Sequence, residues 1–236
     1  MKLFWLLLAT AAPQADESKQ TLEEAIRRTR AQESYEFRAK ADATFPNGSF
    51  EYTASGAWLA PGLLGLHTTA SGNKEGHVVR VGDKVWVTHS ILGWVTAAEA
   101  GEDGAGKGIQ NPDDLLAALS SRCDRARLRP DQTIELRFTG KDIGSILKDL
   151  SAGGDFDFDK SHLSVRLSLD DASRLKQASL SAELSHAQGP MTYSATVDVT
   201  GYNVPREITL TTGAKKELPL PEPIRKAIRE LQGKGR

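Results

Sequence analysis

Cysteine is almost absent from this chain, whose 236 residues contain one, Cys123. A single thiol excludes an intramolecular disulfide framework and a zinc centre built from several cysteines. We expect Cys123 to be a half-buried free thiol behind a helix, and an intermolecular disulfide is the alternative.

An excess of charge of one sign is also lacking. The chain has 30 Lys and Arg against 31 Asp and Glu, so its formal net charge is −1. This balance provides no general electrostatic attraction to nucleic acid or to anionic lipid, and we expect no nucleic-acid partner. With 39% hydrophobic and 26% charged residues, the composition is typical of a globular protein.

No apolar run in the sequence is long enough to span a membrane. The most apolar segment, residues 3–12, has about ten residues, whereas a membrane-spanning helix needs about 20. Because Lys2 precedes it and Ala15 is followed by acidic residues, we predict a signal peptide at residues 1–15, cleaved after Ala15. A buried N-terminal helix or strand is the alternative. We therefore expect an exported, soluble protein that is periplasmic or secreted.

Sequence signatures of catalysis are missing. Residues 101–108 approach the nucleotide-binding pattern G-x-x-x-x-G-K, but Gly108 stands where a magnesium-binding hydroxyl is needed, so we expect a flexible loop. The acidic start of a calcium loop at residues 155–159 is followed by Lys160 where that loop needs glycine. There is no G-x-S-x-G motif. We expect no catalytic residues, no cofactor and a protein that is not an enzyme.

Three histidines are the remaining candidates for a metal site. His67, His77 and His89 fall on neighbouring predicted strands, where they could converge. Since none of the short spacings typical of metal ligands is present, we expect isolated histidines and no metal.

What the chain has in abundance is alternation of apolar and polar residues with a period of two, which is typical of half-buried strands. Turn residues such as Asn47 and Gly48 separate these segments. About eleven segments show the pattern, and they are residues 35–45, 50–58, 63–71, 77–82, 84–89, 93–97, 133–140, 163–169, 180–184, 191–199 and 208–210.

Helical signals occupy four places. Thr21 and Glu24 fit a capping box, which predicts a helix over residues 21–33. Asn111 and Pro112 predict the start of a second helix, and Asp142 the cap of a third. A proline-rich spacer and a basic helix follow in residues 214–236.

Strands joined by hairpins predict an antiparallel sheet, and one apolar face per strand requires the sheet to curl. The expected fold is mainly β: an open, unclosed antiparallel β-barrel of about eleven strands with an α-helical lid and an N-terminal helix. We expect it to occupy residues 16–213 as a single domain.

Several short motifs carry a family resemblance. They are residues 55–58 (SGAW), residues 81–87 (VGDKVWV), Trp94, and residues 111–116 (NPDDLL). In order of elements and in these motifs the chain resembles the LolA/LolB lipoprotein-carrier superfamily, and it looks closest to the LppX/LprG-type branch and related bacterial periplasmic proteins. It departs from the lipoprotein members by lacking the lipobox cysteine.

The resemblance implies an unclosed β-barrel whose apolar cavity holds acyl chains under a helical lid. It therefore implies a soluble periplasmic carrier or chaperone for lipid, lipidated protein or another amphiphile. An envelope sensor or protein-binding scaffold of the same fold, without lipid cargo, is the alternative. The expected partner is lipid or an acylated protein, with an envelope protein as a further candidate. We expect a monomer with peripheral or no stable membrane association.

Inward apolar residues are the candidate cavity and lid, and ordinary core is the alternative for each. These candidates are Phe37, Tyr52, Trp58, Trp86, Trp94, Leu115, Leu116, Leu119, Phe138 and Ile146. The helix that begins at Pro112 is expected to move as the lid, and a permanent place in the core is the alternative. Small inward residues, among them Ala43 and Ala182, would leave room for a lid or a ligand.

Overall fold

A computed structural model describes residues 13–72, 74–89, 91–100, 112–149, 156–204 and 219–234. These residues form eleven strands in one sheet, together with four helices. The strands are β1 (Ser34–Phe45), β2 (Gly48–Leu59), β3 (Leu63–Ala70), β4 (Lys74–Val81), β5 (Lys84–His89), β6 (Gly93–Thr96), β7 (Arg125–Leu128), β8 (Ile134–Arg137), β9 (Phe156–Leu169), β10 (Leu175–His186) and β11 (Gly189–Thr200). The helices are α1 (Pro13–Arg30), α2 (Pro112–Arg122), α3 (Gly140–Asp149) and α4 (Glu222–Lys234).

The sheet is antiparallel and open. Its strand order is β6-β5-β4-β3-β2-β1-β11-β10-β9-β8-β7, so β1 joins a meander on one side to β11 on the other. The two edge strands, β6 and β7, are four residues long, and within the described residues they do not pair with each other. The prediction of an unclosed antiparallel β-structure with helices is therefore confirmed.

The count of eleven strands agrees with the prediction, but one member differs. Strand β7 was not predicted, because Arg125-Ala126-Arg127-Leu128 offers two apolar residues and no longer alternation. The predicted strand at residues 208–210 lies outside the described residues, as do residues 1–12 of the expected signal peptide.

Two predicted helix starts are corrected. Helix α1 begins at Pro13 instead of residue 21, and Thr21 lies inside it, with its hydroxyl donating to the carbonyl oxygen of Glu17 at 2.8 Å. A Thr-x-x-Glu sequence is compatible with a hydrogen bond from the threonine hydroxyl to the carbonyl oxygen four residues earlier, as well as with a helix cap. Asp142 is not the cap of α3. It accepts from the backbone N–H of Thr139 at 3.1 Å, so Thr139 is the capping residue.

The two faces of the sheet bury separate clusters. The face that carries Tyr35 and Phe37, here called the inner face, packs against α1, α2 and α3. The opposite, outer face carries Leu63, Val79, Val81 and Trp86 on β3 to β5, and these residues pack around Ile224 of α4. Among the described residues, no helix combines the length and the hydropathy that crossing a membrane requires.

Helix α1 is fastened to the inner face by two buried hydroxyls. The hydroxyl oxygen of Thr29 accepts from the backbone N–H of Leu175 at 2.9 Å, and that of Ser18 accepts from Leu128 at 2.9 Å. Nearby, the ring of Tyr35 stacks on that of Trp58 with centroids 5.2 Å apart. This packing fills one end of the inner face and leaves the other end for a cavity.

Candidate functional site: an apolar cavity

A cavity of about 400 Å³ lies on the inner face, between α3 and the sheet, near the hairpin ends of β1–β2 and β10–β11. Its wall is apolar or aromatic apart from Thr192. The lining residues are Ala43, Phe45, Phe50, Ile143, Ile146, Phe156, Leu163, Leu180, Ala182, Leu184, Met191, Thr192 and Tyr193. The volume is in the usual range for a small-molecule pocket, about 300–1,000 Å³.

The floor of the cavity is one register row that crosses five strands. Leu163 pairs with Ala182, Ala182 with Tyr193, Tyr193 with Ala43, and Ala43 with Phe50. Because residues in one row point to the same face, the two alanines stand among three large side chains. Their missing volume creates the space beneath α3.

The roof is α3, which is held by its cap and by close approach to β9. Ile143 and Ile146 project from it into the cavity lining, and both are buried. A Cβ at Gly140 would lie 2.8 Å from the carbonyl carbon of Phe158, and one at Gly144 would lie 3.1 Å from the Phe158 ring. Glycine at these positions lets the helix lie directly on β9.

A bulge in β9 shapes the side wall. The pairing of β9 with β10 shifts register between Glu183 and Ser185. The hydroxyl of buried Ser161 donates to the carbonyl oxygen of Asp157 at 2.8 Å and accepts from the Ser185 N–H at 3.1 Å, which satisfies the backbone in the bulge. The bulge places Phe156 in the cavity lining.

The rim of the cavity is aromatic and exposed. Phe45, Phe50 and Tyr193 have 39%, 43% and 38% of their surface accessible, respectively, and all three line the cavity. Exposed large apolar groups are informative when they gather at one place, because they mark a surface that a ligand or partner can cover.

The cavity is suited to uncharged groups. Tyr193 is exposed on one side at the rim, and the partial burial of its ring raises the pKa above the ordinary value of 10.0, so this side chain is a neutral phenol at physiological pH. Burial likewise raises the pKa of Tyr52 on the same face. Among the described lining residues there is no charged side chain, and such a wall can bind an apolar chain but cannot compensate a buried charge.

The predicted site residues are divided by the fold. Ile146 is in the cavity lining. Phe37 and Trp58 are buried in the inner core, Tyr52 is half-buried on the same face, and Phe138 is half-buried against that core.

The other predicted candidates lie elsewhere. Trp86 and Trp94 pack with α4 on the outer face, so they are not brought together with the cavity. Leu116 and Leu119 of α2 are buried in the inner core and do not line the cavity, while the side chain of Leu115 lies outside the described residues. In this structure α2 lies in the core and α3 is the helix that roofs the cavity, and movement of α2 as a lid stays a prediction.

Sequence reasoning missed the rim. Phe45 and Phe50 are the last apolar residues on either side of the turn at residues 46–49, and Tyr193 is the partner of Ala43 across β1 and β11. The turn was a usable signal for the two phenylalanines, but the pairing of β1 with β11 joins residues about 150 positions apart, which no local pattern reports.

The structure also locates the residues that we did not expect to form a metal, thiol or nucleotide site. The rings of His67 and His77 stack with centroids 4.9 Å apart, and in the part of the chain that is described no group of three or more His, Cys, Asp or Glu residues could hold a metal ion. Cys123 is half-buried, its thiol donates to the carbonyl oxygen of Ser120 at 3.3 Å, and burial raises its pKa. Residues 101–108 lie outside the described residues.

No family model matches the chain, and neither does any curated protein. Among solved structures it is similar to LprF from Mycobacterium bovis, with a TM-score of 0.41, 12% identity, and coverage of 83% of this chain and 97% of that one. It is also similar to the LolA superfamily protein NE2245 from Nitrosomonas europaea, with a TM-score of 0.31, 13% identity, and coverage of 83% and 96%. A putative outer membrane lipoprotein-sorting protein domain from Vibrio parahaemolyticus has a TM-score of 0.35, 9% identity, and coverage of 82% and 95%. One of these structures is a LolA superfamily protein, the superfamily that the sequence motifs resemble.

Proposed function

We propose that this protein is a non-enzymatic carrier or chaperone that holds the apolar part of a lipid, a lipidated protein or another amphiphile. One observation carries the proposal: an apolar cavity of about 400 Å³ opens beside three exposed aromatic side chains. A ligand that enters it removes both its own apolar surface and the rim from water, at about 0.8 kcal/mol for each buried methylene.

The position of polar groups supports an amphiphile over a wholly apolar ligand. Thr192 and the phenol of Tyr193 are the polar groups of the lining, and Tyr193 is at the exposed rim. A polar head would remain near these hydroxyls and near water, while the tail extends over Ala43 and Ala182 beneath α3.

The proposal also assigns the protein to the periplasm or the extracellular medium, as the pattern of residues 1–15 suggests. N-terminal sequencing of protein recovered from the periplasmic or secreted fraction tests this assignment. Recovery in the cytoplasm with Met1 still present would contradict it.

Two measurements test the carrier function. Organic extraction of the purified protein followed by mass spectrometry should release a stoichiometric amphiphile, and the delipidated protein should bind a fluorescent fatty acid. The Ala182→Leu variant should weaken that binding at least tenfold, because the added side chain occupies the floor of the cavity.

The neighbouring Ser181→Leu variant is the matched control. Ser181 lies on the same strand but is exposed and points to the other face, so fatty-acid binding should be unchanged. A protein free of extractable amphiphile, whose fatty-acid binding is the same in both variants, would contradict the carrier function. Capture of a protein partner through the rim without lipid would instead assign the fold to a scaffold or sensor.

A further inference from the structure

Four arginines share the outer face of the sheet at its β7 edge. Arg125 and Arg127 lie on β7, Arg137 on β8 and Arg166 on β9, and all four are exposed. Their direction is set by their neighbours: Ala126, Leu136 and Val165 pack into the inner core, so the alternate residues point outward. We call these four arginines the arginine patch.

The strand register brings the patch together. Arg125 is directly opposite Arg137, Arg127 is opposite Glu135, and Glu135 is opposite Arg166. Neighbouring strands lie about 4.8 Å apart, and like charges placed directly opposite each other destabilise a sheet. An arginine pair in such a register, with two more arginines on the same face, is costly for folding. A role in binding would explain why this cost is tolerated.

Carboxylates neutralise the patch only in part. Glu135 receives hydrogen bonds from Arg129 and, at 3.4 Å, from Arg137, so its charge is shared with an arginine outside the patch. Asp131 in the β7–β8 turn interacts with Arg166, and Asp124 precedes β7. Arg125 and Arg127 form no ion pair within the described residues.

Two register rows beside the patch carry hydroxyls, and they are flanked on the same face by Asp198, which accepts from Gln177, and by Glu183. In register with Arg166, the outer face continues through Ser179 on β10 to Thr196 on β11, and the row with Ser164 continues through Ser181 to Ser194. Helix α4 packs against β4 at the far side of the sheet, and the other three helices pack on the inner face. Within the described residues, no helix therefore covers the patch or this hydroxyl-bearing area.

We propose that the arginine patch docks the protein on an anionic phospholipid bilayer. Side chains on a sheet stand roughly perpendicular to it, so the four guanidinium groups do not converge on one ion and instead present an array to an extended anionic surface. Each guanidinium can bind a phosphate through two hydrogen bonds. Because the net charge of the chain is −1, a membrane would attract this surface and not the molecule as a whole.

Vesicle co-sedimentation tests the proposal with the full chain. The wild type should bind phosphatidylcholine vesicles that contain phosphatidylglycerol, should not bind pure phosphatidylcholine, and should dissociate in high salt. Each arginine near an anionic surface changes partitioning roughly fivefold, so the Arg125→Gln/Arg127→Gln variant should bind about 25-fold more weakly. Its melting temperature should equal or exceed that of the wild type, because the repulsion between Arg125 and Arg137 is removed.

The Lys19→Gln/Lys141→Gln variant is the charge-matched control, since both residues are exposed on α1 and α3, which pack on the inner face. It should bind like the wild type, and so should Ala182→Leu, which alters the cavity alone. Equal vesicle binding by both double variants would overturn the proposal. Binding of the wild type to immobilised polyglutamate but not to the anionic vesicles would assign the patch to an acidic protein and would overturn it as well.

Discussion

At the scale of one residue, Gly56 shows how closely the strands of the inner face pack. A Cβ at this position would overlap the carbonyl oxygen of Gly65 and would lie 2.7 Å from Cδ2 of Leu66 and 3.2 Å from Cζ of Phe37. The backbone oxygen cannot move without disturbing β3, so the position requires glycine for steric reasons.

We therefore expect Gly56→Ala to lower the free energy of unfolding by about 1–3 kcal/mol, the usual cost of overpacking. Urea unfolding measures the change. Gly233→Ala in α4 is the control, because its Cβ meets nothing within 4 Å and alanine favours a helix. Equal stability of the wild type and Gly56→Ala would show that β2 and β3 separate more easily than the structure indicates.

At the scale of one element, α4 determines what the outer tryptophans do. Ile224 of α4 is fully buried against Leu63, Val79, Val81 and Trp86, and Trp94 packs beside them. The helix therefore covers an apolar area that would otherwise be open to water.

Ile224→Ala should weaken the docking of α4 by about 2–4 kcal/mol, the cost of deleting a buried isoleucine side chain to alanine. Amide hydrogen exchange in α4 should accelerate, and tryptophan fluorescence emission should shift to longer wavelength as Trp86 becomes exposed to water. Lys226→Ala, exposed on the same helix, should change neither signal. Fatty-acid binding should persist in both variants, because α4 and the cavity are on opposite faces; its loss in Ile224→Ala would contradict that separation.

At the scale of the whole molecule, buried and ion-paired groups limit stability at both ends of the pH range. Burial alone would raise the pKa of Asp170, but hydrogen bonds from Arg174 lower the pKa by a larger amount. The net pKa is therefore below the ordinary 3.8. The pKa of Glu135 is likewise below its ordinary 4.5, because the hydrogen bond and the charge of Arg129 lower it by more than burial raises it. Burial raises the pKa of Tyr52 and Tyr193 above 10.0.

The signs of these shifts predict a plateau. A depressed carboxyl pKa stabilises the fold above about pH 4.5, and that contribution is lost as the pH falls through the folded pKa. A raised tyrosine pKa favours the neutral folded form below about pH 10, and its contribution is lost as the pH rises through the folded pKa. Urea unfolding at a series of pH values should show both declines, and Asp170→Asn should lower the plateau and flatten the acid decline. An unchanged acid decline in that variant would show that Asp170 does not contribute to it.

The sequence by itself determined the class of fold. Period-two alternation in residues such as 35–45 and 191–199 dictates strands with one dry face, and turn residues between them dictate antiparallel pairing. A sheet of this size with one dry face must curl and be covered, which is why an open β-structure with helices was predictable.

The tertiary structure decided which apolar residues lie on the inner face and which on the outer face, and it thereby decided where the site lies. Alternation shows that Trp58 and Trp86 each belong to an apolar set, but only the register of β2 to β5 places Trp58 inside and Trp86 under α4. The cavity floor and the arginine patch arise in the same way, from pairings such as Ala43 with Tyr193 and Arg125 with Arg137. Such pairings depend on long-range register, and a shift of one residue would exchange the two faces, so local periodicity cannot specify them.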